Sequence, residues 1–268
     1  MTTSDRAVFG VVLGVILALQ LVVLSWVVEA APAQGATYLC AGKHATIVGT
    51  QGADRIKGTS GRDVIAALGG ADTIAGVGST FESQDYLCGG RGADTIYVAT
   101  KTGFDTCAGG VAFVAGGKGN DKLFGGGQSF TGSGDRGDDL IDGCNLAGES
   151  STATFYTAGV PVTVKLWDNS AIGQGMDTLK HIDSIYGSPR NDQIMGSYRA
   201  ESLSGAGGAD TIKGGRGSDF LFGGDGVDTL DSRDGVVAND TLDGEDDFAS
   251  CLYDSSDEGE DHAVNCNE

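Results

Sequence analysis

The sequence predicts an all-β solenoid, a coil of short parallel strands stacked along one axis and interrupted by a short β insertion. Three observations predict it. Glycine supplies 46 of the 268 residues and proline only 3, a composition that excludes a collagen-like triple helix. Asp and Glu outnumber Lys and Arg by 37 to 17, yet the acids recur at a fixed spacing with apolar residues between them. That spacing is nine residues, and internal repeats of this kind decide a fold before local propensities do.

The unit has glycine at its first, second and fourth positions, aspartate at the sixth and a large apolar residue at the eighth. Gly89-Gly90-Arg91-Gly92-Ala93-Asp94-Thr95-Ile96-Tyr97 fits every position. So does Gly116-Gly117-Lys118-Gly119-Asn120-Asp121-Lys122-Leu123-Phe124. Two more units run back to back, with Gly214, Gly215, Gly217 and Asp219 in the first and Gly223, Gly224, Gly226 and Asp228 in the second. Weaker copies at 49–57, 58–66, 67–75, 134–142 and 205–213 keep the fourth glycine, the acid (Asp54, Asp63, Asp72, Asp139, Asp210) and the apolar eighth residue. Copies at 80–88, 187–195 and 235–243 keep only the acid (Asp85, Asp192, Asp240) and the apolar residue. Unit 196–204 has Glu201 at the sixth position, and unit 125–133 has no acid there.

The first six positions read as a turn, because glycine permits positive φ and close approach of neighbouring backbone. The last three read as a short strand whose eighth position points inward. Two units then complete one coil of 18 residues. Asp54 is expected over Asp72, Asp121 near Asp139, and Asp192, Asp210 and Asp228 in one file, with Glu201 and Asp219 on the opposite edge. Stacked carboxylates repel unless a cation lies between them. Calcium suits such turns, since it accepts six or more oxygens in flexible geometry, whereas magnesium demands a tight octahedron.

These units resemble the RTX, or haemolysin-type calcium-binding, nonapeptide repeat. The resemblance covers most of 38–243, with interruptions. It implies a right-handed parallel β-roll carrying several Ca²⁺ ions along its turn edges. It also implies that the sixth-position aspartates and glycine-turn carbonyls hold those ions. Carried over, the expected ligands are Asp94, Asp121, Asp210, Asp219 and Asp228, then Asp54, Asp63, Asp72, Asp139 and Asp192. The segment Thr37 to Thr50 is similar to the start of exported actinobacterial proteins of this type, in which a Cys precedes the first repeat and another recurs near Cys88-Gly89-Gly90. Six cysteines allow 15 pairings. The resemblance favours Cys40–Cys88, and sequential pairing would add Cys107–Cys144 and Cys251–Cys266.

The ends and the middle depart from the repeat. Residues Val8 to Val28 are almost wholly apolar and precede Ala31-Pro32-Ala33, a small-residue pattern that reads as an export signal over 1–33. Retention as a membrane anchor is the other reading, because about 20 apolar residues can span a bilayer. The expected organisation is a first run of roll over 34–145, an insertion with a β-hairpin over 146–186, a second run over 187–243 and an acidic cap over 244–268. An extracellular or cell-surface location follows, where calcium is plentiful.

A net charge of −20 argues against nucleic acid as a partner. No His-Glu-x-x-His or Gly-x-Ser-x-Gly motif occurs, and the only histidines, His44, His181 and His262, lie far apart in sequence, so no enzyme is expected. A small hydrolase ranks last, since the repeat already accounts for the abundant acids. A calcium-stabilised adhesion or polysaccharide-binding surface protein is the alternative. The outward residues Arg55, Lys57, Val64, Ala66, Thr73 and Ala75 form no uniform binding array. A monomer is expected.

Overall fold

The computed structural model describes residues 37–78, 80, 82–99, 110–126, 129–144, 150–236, 239–245, 249–256 and 259–267. The apolar N-terminal segment and Cys107 lie outside them, and with Cys107 the expected Cys107–Cys144 pair. Among the described residues, strands alternate between a 13-stranded sheet and an 11-stranded sheet. Most neighbours in each sheet run parallel, in a register set by the repeat. This is the β-roll that the nine-residue period predicts.

The eighth positions stack into columns. In one sheet Ile56, Ile74, Ile96, Leu123, Ile141 and Leu179 follow one another in register. Farther along, Val164, Ile194, Ile212, Leu230 and Cys251 do the same. The other sheet stacks Ile47, Ile65, Leu87 and Val114, and later Ala153, Ile185, Leu203, Leu221 and Leu242. Most of these side chains are fully buried and form one continuous core. Burying each Leu or Ile contributes about 1.5–3 kcal/mol, so the roll gains its stability coil by coil.

Unit 125–133 shows how far the pattern bends. Its eighth position is Gly132, which leaves a gap in the column. Its sixth position is Phe130 instead of an acid, and the ring fills that gap: a Cβ on Gly132 would run into Phe130 and Ile141. Phe130 is only 1% exposed.

The insertion holds more of the repeat than the sequence suggests. Strands Met176–Lys180 and Ser184–Tyr186 continue the two sheets in parallel with Leu140–Asp142 and Ser150–Thr154. Their sixth positions are Asp177 and Asp183. The irregular part is an excursion within the 13-stranded sheet. Thr163–Lys165 pairs antiparallel with Ser170–Ile172, which pairs antiparallel with Met176–Lys180. The turn between the first two contains the 3-10 segment Leu166–Asp168, closed by Asn169 at φ 60°. Strands Ser150–Thr154 and Thr163–Lys165 therefore serve different sheets, and the antiparallel hairpin expected in the insertion forms between Thr163–Lys165 and Ser170–Ile172.

The tail is built from the same elements. Ala249–Leu252 and His262–Val264 extend the two sheets in parallel, and Cys266–Asn267 adds the last strand to one of them. A disulfide joins Cys251 to Cys266, and another joins Cys40 to Cys88.

Candidate cation sites along the turn edges

The sixth-position acids form files linked through the backbone. The N–H of Asp54 donates to Asp72 Oδ1 at 2.7 Å, that of Asp72 to Asp94 at 2.8 Å, and that of Asp94 to Asp121 at 2.8 Å. Asp121 continues to Asp139 at 2.8 Å and Asp139 to Asp177 at 3.0 Å. Beyond the excursion, the same edge resumes as Val162 to Asp192, Asp192 to Asp210 and Asp210 to Asp228. On the opposite edge Asp63 donates to Asp85, then Ser151 to Asp183, Glu201 to Asp219 and Asp219 to Asp240. Asp261 ends this file, receiving the N–H groups of Asn239 and Asp240 and the Ser232 hydroxyl. The expected neighbours Asp54/Asp72, Asp121/Asp139, Asp192/Asp210/Asp228 and Glu201/Asp219 are all brought together. Asp177, Asp183 and Asp261 join them at spacings the nine-residue count had passed over. Asp85 and Asp240, read as weak copies, take full places in the files.

What the second carboxylate oxygen meets divides the turns into two kinds. In the first, the second position is Ser or Thr. Thr50 donates both its N–H and its hydroxyl to Asp54 Oδ2, and Thr59 caps Asp63 likewise. Ser188 caps Asp192, and Ser197 caps Glu201 through its N–H at 3.1 Å and through its hydroxyl. In the second kind the second residue has positive φ, as at Leu68, Gly90, Gly117, Asp135, Ala206, Gly215 and Gly224. There the N–H does not serve the acid. The Oδ2 atoms of Asp72, Asp94, Asp121, Asp139, Asp210 and Asp219 are buried with no hydrogen-bond partner.

The glycines explain why nothing else reaches those atoms. Gly89, Gly116, Gly214 and Gly223, at the first position, lie directly against the carboxylate of their own unit, so that a Cβ would overlap it. At the fourth position, Gly92 at φ 127° and Gly119 at φ 132° pack on the carbonyls of Gly70 and Gly92 in the preceding coils. Gly217 and Gly226 are stacked in the same way on Arg199 and Gly208. The turn edge is thus lined with backbone carbonyls and bare carboxylate oxygens.

Burial is costly for these acids. Desolvation, opposed by the N–H bond to Oδ1 and reinforced by neighbouring carboxylates, pushes Asp139 up to about 8. The same causes bring Asp121, Asp210 and Asp219 to about 7, and Asp72 and Asp240 to about 6. Asp177 also reaches about 6 through burial, and Asp94 is raised for the same reason. An unpaired buried carboxylate takes up a proton or a cation.

The donor set fits calcium. Carboxylates and backbone carbonyls are the oxygen ligands of a hard cation with loose geometry.

Comparison with known families agrees. The model of the RTX calcium-binding nonapeptide repeat matches in four copies, at 46–78, 81–97, 109–129 and 204–236. These segments are RTX-type calcium-binding nonapeptide repeats. No curated protein matches the chain. Between the third and fourth RTX matches the structure still carries acids of the files, Asp139, Asp177 and Asp192, so the roll is longer than the matched segments.

Proposed function

We propose that this chain is exported and that Ca²⁺, held between stacked turns, orders it outside the cell. The observation that carries this reading is the set of bare Oδ2 atoms on Asp72, Asp94, Asp121, Asp139, Asp210 and Asp219, in turns walled by carbonyls. Asp228, with Gly223, Gly224 and Gly226, belongs to the same kind of turn. The capped acids Asp54, Asp63 and Asp192 need a cation less, because their own turns already supply donors. Metal that binds only the folded chain adds its binding free energy to folding. Inside a cell, where calcium is scarce, the bare turns would stay unbridged and the roll weak. After export they would fill, with a Kd of about 10⁻⁴ to 10⁻³ M typical of extracellular modules.

The test is circular dichroism of the purified chain, disulfides intact, titrated with Ca²⁺ from a chelated start and with Mg²⁺ as control. A cooperative gain of β signal with calcium alone is expected. A spectrum indifferent to both ions, from protein that elemental analysis finds metal-free, would overturn the reading.

A further inference from the structure

The outer face of the 11-stranded sheet carries a groove of about 460 Å³. Its floor is made of small side chains, Ala115, Thr131, Ser133 and Thr154, on three adjacent strands. Aromatic rings bound it. Phe113 stands at one side, beside Tyr86 at 6.4 Å between ring centres. Tyr156 and Tyr186 stand at the other, 5.9 Å apart and tilted by 57°. Tyr156 is 61% exposed and Tyr186 42% exposed. The groove lies where this edge of the roll has lost its acids, since the sixth positions there are Ala112, Phe130 and Ser151.

Asp135 also lines the groove. It occupies the second position of its unit at φ 68°, where the repeat has glycine. Its carboxylate is held in place by the Ser133 hydroxyl at 2.8 Å and the Thr157 hydroxyl at 2.7 Å. By backbone Asp135 belongs to its turn, and its carboxylate, held by two hydroxyls, also lines the groove.

We propose that this groove binds a neutral oligosaccharide. A pyranose ring has an apolar C–H face and a rim of hydroxyls. The face suits the tyrosine and phenylalanine rings, whose π-clouds are electron-rich. The rim suits Asp135, which accepts hydroxyl protons, and the hydroxyls of Thr131 and Thr157. Other occupants fit less well. An extended peptide adds to an open sheet edge, but strands Val111–Lys118, Ser129–Arg136 and Ser150–Thr154 are paired on both sides. An acyl chain would bury the Asp135 carboxylate against hydrocarbon. An anionic ligand would meet that carboxylate on a chain of net charge −20.

Isothermal titration calorimetry and saturation-transfer NMR on the full chain in excess Ca²⁺ test this, with cellotetraose, maltotetraose and chitotetraose as probes. At least one should bind with a Kd on the order of 1 mM. Asp135→Gly restores the residue type the turn prefers, so the fold should survive, and binding should weaken about tenfold. Tyr156→Ala, on the surface, should weaken it to a similar extent. Circular dichroism of both variants would verify the intact roll. Absence of binding by all three probes at about 20 mM, or a variant that keeps its fold and binds as tightly as the unaltered chain, would overturn the proposal.

Discussion

At the scale of single residues, the second position separates the capped acids Asp54, Asp63, Asp192 and Glu201 from the bare ones in the positive-φ turns. Ser or Thr there turns a hydroxyl and an N–H onto the carboxylate, while a positive-φ residue turns the N–H away. The second residues were legible in the sequence, but their consequence was not: Thr50, Thr59, Ser188 and Ser197 read only as departures from glycine. Exchanging the two kinds of turn should exchange their dependence on calcium. Ser188→Gly removes the hydroxyl bonded to Asp192 at 2.7 Å and frees the backbone for positive φ. In chelator the variant should lose about 1.5 kcal/mol of stability, and saturating calcium should recover most of it. Urea unfolding with and without Ca²⁺ measures both. Ala206 offers the converse case. It holds φ 73° without glycine's freedom, so Ala206→Gly should stabilise the chain by about 1 kcal/mol in calcium, seen as a higher melting temperature. An unchanged or lower melting temperature would contradict the strain assigned to that turn.

At the scale of the strand and its turn, the stack of acids couples folding to pH. The folded carboxyls of Asp72, Asp121, Asp139, Asp210, Asp219 and Asp240 lie at about 6 to 8, above the ordinary aspartate value of about 3.9. Without calcium the folded chain therefore binds more protons than the unfolded chain between those limits. Their contribution to stability is fully present below about pH 4 and is lost as pH rises through 6 to 8. Calcium competes with those protons, so its affinity should rise over the same range. Urea midpoints in chelator at pH 5 and pH 8 check the first statement, and a higher midpoint at pH 8 would refute it. The regular elements were legible because period and register carry the same information: each eighth residue meets another, one coil away. The excursion at 163–172 was only partly legible. Its strands look like any β-formers in sequence, and which sheet each joins depends on where Asp177 and Asp183 re-enter the files. The inverted unit with Phe130 and Gly132 was hidden for a similar reason, since an acid lost in sequence shows its meaning only when the ring is seen filling the core.

At the scale of the whole molecule, the acid files are interrupted on both edges. On one edge the antiparallel strand Ser170–Ile172 separates the file ending at Asp177 from the one that starts at Asp192. On the other, Ala112, Phe130 and Ser151 separate Asp63 and Asp85 from the file beginning at Asp183. Solenoid stability is close to a sum of unit stabilities and nearest-neighbour terms, so ions should cooperate along a file and lose that coupling across a gap. The hydrophobic core stays continuous through both gaps, which keeps the two ends together while their ion sites should fill separately. Hydrogen exchange read by mass spectrometry during a calcium titration should then give two midpoints, one for peptides within 46–99 and one for peptides within 182–245. Asp210→Asn, which keeps the backbone hydrogen bond to Oδ1 and removes the charge, should shift the second midpoint to higher calcium and leave the first in place. A single midpoint for all peptides, moved as a whole by Asp210→Asn, would mean that the packed core, rather than the chain of ions, transmits the order.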